Sequence, residues 1–303
     1  MSEPPAAPEG DCALGFTIPS RHVRGRIIRI DDTLDTVLAA HDYPEAIARL
    51  LAEALVLTAL LGSTLKDVAG QLTLQAQTRN GAVDLLVADY RGGEMRGYVR
   101  HDPERLAEAP ADPSLFGPFG AGYLAITFDQ AITGERYQGI VPLEGGSLAG
   151  AVESYFAQSE QIASLVRVGV ARDAGGGWVA GGLLLQHLPE GEEGRERLHV
   201  RLDHPEWAHV RLLAETVTDA ELLDRALPLD ALVWRLFHDE EEIRVTAITP
   251  LVKGCRCDPA HIRGVIARFP PEERAAMADA EGRISVDCEF CSKVFTLDLA
   301  EVE

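Results

Sequence analysis

Basic residues are scarce in this sequence. Lysine and arginine number 28 against 48 aspartates and glutamates, which gives a formal net charge of -20. Such a charge repels phosphate backbones and anionic lipid surfaces, so nucleic acids and membranes are poor candidates for partners. The acidity is explained by solubility alone, and it would also suit a protein that holds other proteins in solution.

Targeting and membrane-spanning segments are also missing. Residues 1–10 lack the basic start and the apolar run of a secretory signal, and we expect them to be frayed. The most apolar segment, residues 46–65, is interrupted by Arg49 and Glu53, and the 12 uncharged residues after Glu53 are too few to cross a bilayer. We therefore expect a cytoplasmic protein.

Recognisable catalytic motifs are absent as well. The sequence has no Gly-x-Ser-x-Gly nucleophile motif and no phosphate-binding loop. A hydrolase or a thiol oxidoreductase would need a nucleophile with a base, or a metal with an open position. We find neither pattern and predict that the protein is not an enzyme.

What is present is a series of strands with a few helices. Residues 42–66 repeat apolar side chains every three to four positions, which predicts a core helix with one apolar stripe. The period changes to two at Leu72 and Leu74, and Asn80 with Gly81 offers a hairpin turn. Because strands come in neighbouring runs, we predict an α+β fold with an antiparallel-sheet N-terminal domain and packed helices. Further strands are predicted at 83–90, 94–100, 123–129, 135–143, 165–172 and 178–187, a loop at 103–122, and a helix capped by Ser147.

A charged, glycine-containing break at residues 190–197 precedes a leucine-rich helical stretch at 210–237. Thr218 and Glu221 have the spacing of a capping box, and Asp230 is placed to cap a later helix. Amphipathic helices this short need a surface to lie on. We divide the chain into a core domain at 1–189, a helical linker at 190–249 and a small C-terminal zinc-binding domain at 250–303.

The C-terminal domain carries four of the five cysteines. Cys255 and Cys257 are separated by 30 residues from Cys288 and Cys291. Residues two apart on a strand point the same way, and a Cys-x-x-Cys turn presents both sulfurs to one point, so two such pairs can complete a tetrahedron. An odd cysteine count without a signal argues against a disulfide framework. The pattern predicts a Zn2+ site; iron also accepts four thiolates, but nothing else indicates electron transfer.

The cysteine pattern also occurs in other kinds of site. A purely structural zinc knuckle is the commonest use of four thiolates. A thioredoxin-like motif at residues 288–291 lacks the required context, because that motif opens a helix after a strand. We expect His261 to be an ordinary loop histidine and Cys12 to be a bystander in the N-terminal tail.

The C-terminal domain is so small that its folding should depend on the metal site. Its roughly fifty residues are too few for a self-sufficient core, whereas a structural zinc contributes roughly 10 to 16 kcal/mol. Loss of the metal should therefore unfold the domain. Oxidants attack thiolates, and oxidation to disulfides destroys the ligand set. At such a site, exposure to an oxidant would therefore lead to unfolding of the domain.

At these residues the sequence resembles the 33-kilodalton heat-shock protein family, the redox-regulated holdase chaperones. The cysteine spacing of one, 30 and two intervening residues is similar to the family pattern, as is the segment Val286-Asp-Cys-Glu-Phe-Cys291. Asp258 and Ser292 depart from it, because they stand where relatives often have serine and a small glycine or asparagine. Similar segments follow in the same order over most of the chain, at 137–143, 155–161, 180–186 and 234–238.

The resemblance implies a chaperone that is inactive when reduced and zinc-bound, and that holds unfolded or partly folded proteins without ATP after oxidation. It implies Cys255, Cys257, Cys288 and Cys291 as the zinc ligands, with disulfides 255–257 and 288–291 on oxidation. We also consider a homodimer after oxidation. The alternative function is a zinc-ribbon adaptor or nucleic-acid-binding module with a structural zinc, which would need a basic face that the domain does not offer.

The linker is the segment through which we expect the switch to act. We predict that the zinc domain lies against the linker helices and these against the sheet domain, so that zinc loss loosens the linker. Apolar surface exposed in this way can hold a client. Alternatively, the linker is a spacer and the sheet domain binds clients. The predicted client-binding residues are Leu212, Leu213, Leu222, Leu223, Leu232, Leu236 and Phe237.

Overall fold

The fold is α+β, as predicted. A computed structural model of the chain describes residues 10–79, 81–108, 122–143, 146–188, 204–246 and 248–302. Two six-stranded sheets enclose one helix, and a two-stranded sheet belongs to the C-terminal part. The strands are β1 Cys12–Ile18, β2 Val23–Ile30, β3 Gln71–Thr78, β4 Val83–Arg91, β5 Glu94–His101, β6 Gly122–Asp129, β7 Arg136–Pro142, β8 Ser164–Arg172, β9 Trp178–His187, β10 Arg244–Val245, β11 Thr249–Pro250, β12 Val252–Lys253, β13 Arg283–Asp287 and β14 Val294–Asp298.

Helices fill the space between and outside the sheets. In the described part of the chain, none is long and apolar enough to cross a membrane. Ser147 caps its helix as predicted, because its side chain accepts a hydrogen bond from the Gly150 N–H. The helices are α1 Asp32–Leu38, α2 Glu45–Gly62, α3 Pro103–Glu108, α4 Leu148–Tyr155, α5 Pro205–Ala214, α6 Asp219–Leu223, α7 Leu229–Phe237, α8 Pro259–Ile266 and α9 Pro271–Met277.

The two large sheets have mostly antiparallel order. The first runs β10-β1-β2-β9-β8, with β11 also paired to β1, and the second runs β12-β5-β4-β3-β6-β7. The pairing of β12 with β5 is parallel. The short strands β10 to β12 therefore join the chain after α7 to the edges of both sheets, immediately before the first pair of cysteines.

Helix α2 is the centre of the core. The sequence predicts one apolar stripe, but 15 of its 18 residues are buried, because sheets cover it on both sides. Two glycines allow this close packing. A Cβ added at Gly97 of β5 would lie 2.8 Å from Leu51, and one added at Gly182 of β9 would lie 2.6 Å from Val56. Any side chain there would push the helix away from a sheet.

Helices α5 to α7, which belong to the predicted linker and are called the linker helices below, pack on the outer face of the first sheet. Phe237 at the end of α7 lies against Phe16 of β1, with ring centroids 5.7 Å apart. The capping box of Thr218 and Glu221 is present as predicted. Buried Arg29 of β2 donates to the backbone oxygens of Leu222, Leu227 and Glu221 at 2.8, 2.7 and 3.0 Å, so a core strand holds the end of α6 directly.

Several predictions of local structure were wrong. Strands β1 and β2 were not predicted, and Cys12 begins β1 as a buried residue instead of lying in a tail. Residues 103–108 form α3 where a loop was predicted, because Asp102 accepts hydrogen bonds from the first amides of that turn. Asp230 does not cap α7, since that helix begins after Pro228. Residues 1–9 of the predicted tail at 1–10, the turn residue Asn80 and the break at 190–197 lie outside the described residues.

Glu53 is a carboxyl group inside α2 and gives the core a dependence on pH. Burial raises its pKa from 4.5 to about 7, although the Ala149 N–H donates to it at 3.2 Å and opposes the shift. Between these two values the folded chain keeps a proton that the unfolded chain releases. The free energy of unfolding therefore falls as pH rises through this range.

We predict that Glu53→Gln removes this fall, because glutamine accepts the same hydrogen bond without titrating. The difference in unfolding free energy between variant and parent should grow by about 3 kcal/mol from about pH 5 to about pH 8, at about 1.4 kcal/mol per pKa unit. Urea unfolding of the reduced protein at both pH values measures it. Glu45→Gln, at an exposed position of the same helix, is the control. Parallel pH curves for Glu53→Gln and parent would contradict the assignment.

Candidate metal centre

The four cysteines lie in two loops, and the structure brings these loops together as the spacing predicts. Cys255 and Cys257 follow β12, whereas Cys288 and Cys291 lie in the turn between β13 and β14. Within this turn the amides of Cys291 and Ser292 donate to the Cys288 oxygen at 3.2 and 2.8 Å. Ser292 has φ 54°, a left-handed conformation that glycine and asparagine adopt with less strain. The backbone thereby closes tightly around the second pair.

The four sulfurs lie at distances suited to one metal ion. Cys255 Sγ is 3.4 Å from Cys257 Sγ and 3.6 Å from Cys288 Sγ, and Cys257 Sγ is 3.6 Å from Cys291 Sγ. All four lie within 4.8 Å of one another, and all are free thiols. A tetrahedral ion with bonds of about 2.3 Å to sulfur needs sulfur-to-sulfur distances of about 3.8 Å. The cluster can therefore hold a metal.

The protonation of the thiols supports the same interpretation. Burial raises the pKa of Cys255, but hydrogen bonds from the Cys257 N–H and the neighbouring thiols outweigh it and lower the value to about 7. Burial and the neighbouring sulfurs raise the pKa of Cys257 to about 12 and also raise that of Cys288. A cation bound between the four sulfurs would favour the thiolate forms that these neighbours disfavour.

The second cysteine turn docks on the N-terminal domain through Phe290. Its ring lies 3.9 Å from the Arg96 guanidinium and 4.9 Å, edge to face, from the ring of Tyr98; both residues belong to β5. The Ser292 hydroxyl donates to the Ala40 oxygen at 2.6 Å. Beside the first pair, Arg256 donates to Gln71 Oε1 at 2.5 Å. The metal centre thus lies on the edge of the second sheet.

The predicted packing of the zinc domain against the linker helices is therefore wrong. The described contacts of the cysteine loops fall on β5, on β3 and on the turn after α1, where Phe290, Arg256 and Ser292 find their partners. The linker helices pack on the other sheet. Sequence reasoning also missed Phe290 as a docking residue. Its signal was a large apolar side chain inside an otherwise polar cysteine turn.

The C-terminal domain has only a small apolar core of its own. Ile266, Ile284, Leu297 and Val302 are its cluster of buried side chains among the described residues. Buried Arg274 donates to the Val302 oxygen and closes the end of the chain onto this cluster. A core of this size cannot hold a folded unit without a further constraint such as a metal.

The remaining candidate residues lie elsewhere. His261 is exposed on α8 and is not a loop residue as predicted; it lies outside the cysteine cluster. Leu213 and Leu223 of the linker are half-buried, and Leu212 is exposed. The other predicted client-binding residues are buried against the first sheet, namely Leu222, Leu232, Leu236 and Phe237.

Comparison with known proteins identifies the family. The model of the Hsp33 protein family matches residues 11–298. Curated relatives named 33 kDa chaperonin include one from Caulobacter vibrioides, 41% identical over 295 residues with 95% of each chain covered, and one from Salmonella typhi, 34% identical with 97% of this chain and 96% of the relative covered.

A solved structure has the same fold. The 33 kDa chaperonin of Thermotoga maritima superposes with a TM-score of 0.78 over 97% of each chain at 23% sequence identity. The two-sheet fold and the cluster of four cysteines define a protein whose C-terminal domain could hold a metal ion. The chain belongs to the Hsp33 family.

We predict that Phe290→Ala weakens the docking of the C-terminal domain and leaves metal binding unchanged, because Phe290 contacts the core but supplies no ligand. Loss of a cation–π contact and an aromatic pair costs about 1 to 2 kcal/mol, so the β12 amides that pair with β5 should exchange roughly tenfold faster. Hydrogen exchange and metal analysis of the reduced protein measure both effects. Phe269→Ala, in the same domain, is the matched control, and unchanged exchange in Phe290→Ala would contradict the docking role.

Proposed function

We propose that this protein is a redox-regulated, ATP-independent holdase chaperone. It is inactive when reduced and zinc-bound, and it binds unfolding proteins after cysteine oxidation and zinc release. The observation that carries the proposal is the meeting of four free thiols within 4.8 Å in a domain with almost no core. Membership of the Hsp33 family, whose relatives are named chaperonins, supports the chaperone assignment.

The metal in this proposal is Zn2+, bound by Cys255, Cys257, Cys288 and Cys291. Sulfur spacings of 3.4 to 3.6 Å fit the short bonds of a tetrahedral four-thiolate zinc. Zinc undergoes no redox change itself, so in this site it would supply folding free energy and hold the thiolates in place. Four protein ligands leave no position for a substrate, which fits a protein without catalysis.

Oxidation would remove the ligands in pairs. Hydrogen peroxide, taking two electrons, converts two thiols to one disulfide and is reduced to two waters. The family resemblance implies the bridges 255–257 and 288–291. The sulfur distances do not favour this pairing, because Cys255 lies nearly as close to Cys288 as to Cys257. Every pairing removes zinc ligands, and the switch depends only on that loss.

We also propose the division into a core domain at 1–189, a linker at 190–249 and a zinc domain at 250–303. The route between zinc and linker would run through β10, β11 and β12, since these short strands pair with the sheet edges between α7 and Cys255. Two-residue strands have few hydrogen bonds to lose. Unfolding of the zinc domain would pull β12 from β5 first and β11 and β10 from β1 next.

Release of β10 would in turn loosen the linker helices through Glu240, which links α5 and α7 to the core. Glu240, just after α7, accepts from Arg21 at 2.8 Å and lies 2.9 Å from His209 Nε2 of α5. This buried carboxylate joins both helices to the start of the core. The clients would bind Leu212, which is already exposed, together with the apolar side chains that loosening uncovers further, namely Leu213, Leu222, Leu223, Leu232, Leu236 and Phe237.

The remaining properties in this proposal follow from charge and family. Cytoplasmic unfolded proteins are the partners, and the net charge of -20 keeps the complexes in solution. A homodimer after oxidation would enlarge the client surface. A nucleic-acid-binding module has less support, because Arg263 and Arg283 of the zinc domain form ion pairs with acidic neighbours.

We predict that zinc release, loss of free thiols and suppression of client aggregation rise together when the reduced protein is treated with peroxide. Reduced protein should carry one zinc per chain and suppress little aggregation. Light scattering by an unfolding client, a metal-binding dye and a thiol reagent follow the three quantities in one sample without ATP.

Two single substitutions make the assay specific. Cys288→Ser should lower the zinc affinity by at least tenfold and suppress aggregation without peroxide, because its ligand set is incomplete. Cys12→Ser should behave as the parent, since that thiol is buried in β1. Aggregation suppression that develops while zinc stays bound would show that the proposed switch is wrong.

A further inference from the structure

A second cluster of metal-binding side chains lies where the core meets the linker. His187 is the last residue of β9, His204 immediately precedes α5, and Glu206 lies in the first turn of α5. One ligand atom from each lies within 4.8 Å of the others. His204 Nδ1 is 4.0 Å from Glu206 Oε2, and the rings of His187 and His204 are 5.1 Å apart.

Three buried polar atoms of this cluster lack hydrogen-bond partners among the described residues: both ring nitrogens of His187 and Oε2 of Glu206. His187 is 3% exposed, and neither of its ring nitrogens has a hydrogen bond; Glu206 Oε2 is buried without one. Leaving buried donors and acceptors unpaired is costly, and native proteins seldom do so. Trp207 stacks on His187 at 6.1 Å and holds the ring in place. A histidine that served only as core filling would have at least one nitrogen paired.

The existing contact at His204 does not prevent binding. Its Nδ1 accepts from the Glu206 N–H at 3.4 Å, which is long for a hydrogen bond, so the lone pair remains available to a stronger partner.

We propose that His187, His204 and Glu206 bind a second divalent transition-metal ion, of the Zn2+ class. Two imidazoles and one carboxylate form a known three-ligand zinc set that leaves a fourth position for water. This set is harder than the four thiolates, and it contains no group that peroxide oxidises readily. The second site therefore keeps its metal when the cysteine site loses its own.

The position of the site gives it a structural role. A metal there joins the end of β9 to the start of α5. It fixes the beginning of the linker on the core, whereas the cysteine site acts on the other end of the linker. Occupied, the second site limits how far α5 can move when α7 loosens.

Cobalt binding to the full-length, untagged protein tests this proposal. The probe is Co2+ added to reduced chain that already carries one zinc per chain. We expect one further equivalent to bind, with the visible spectrum of nitrogen and oxygen ligands and without the intense sulfur-to-metal charge-transfer bands that exchange into the cysteine site would produce. Chaperone activity is not part of the measurement, so the proposal stands or falls separately from the proposed function.

Two variants assign the ligands without disturbing the fold. His204→Asn keeps a good helix-capping residue, and Glu206→Gln keeps the side-chain shape, so both should melt like the parent when the second metal is absent. Each should weaken Co2+ binding at least tenfold. His238→Gln, at an exposed histidine after α7, should leave binding unchanged. Absence of a second equivalent, or parental affinity in both ligand variants, would overturn the proposal.

Discussion

The convergence of four thiols on one point is the constraint on which the C-terminal domain depends. The domain consists of one short hairpin and two short helices, and its apolar cluster has four buried side chains. This burial is too small to offset the conformational entropy that its residues lose on folding. In the proposed function, a metal bound by the thiols would supply what the core lacks. Because thiolates are also the groups that oxidants attack, the same atoms would then provide both stability and sensitivity to oxidants. A domain with a larger core would survive the loss of its metal.

The rest of the molecule, in contrast, has a large apolar core. Helix α2 is enclosed by two sheets, and their paired strands form a core that needs no metal. The linker helices are intermediate in burial: they are short, but they cover the apolar face of the first sheet. Their burial in the described structure means that their leucines are covered until something moves. The short strands β10 to β12 connect this intermediate layer to the metal-dependent one.

The sequence was sufficient for features that depend on local pattern. Alternation predicted β3 to β9, the capping box predicted the start of α6, and cysteine spacing predicted the thiol cluster. It was insufficient where tertiary partners decide. Full enclosure of α2 requires a second sheet that no local period reveals, and the docking of Phe290 depends on Arg96 and Tyr98, nearly two hundred residues away. For the same reason the zinc domain was placed against the wrong surface.

The most direct test of this account is hydrogen exchange followed during peroxide oxidation. The account predicts that protection collapses in residues 254–302, then falls in β10 to β12 and in α5 to α7, while β2, β3, β4 and β9 remain protected. The fall in α5 to α7 should coincide with the onset of aggregation suppression. Full protection of α5 to α7 in oxidised protein that suppresses aggregation would contradict the central claim that the metal restrains the linker.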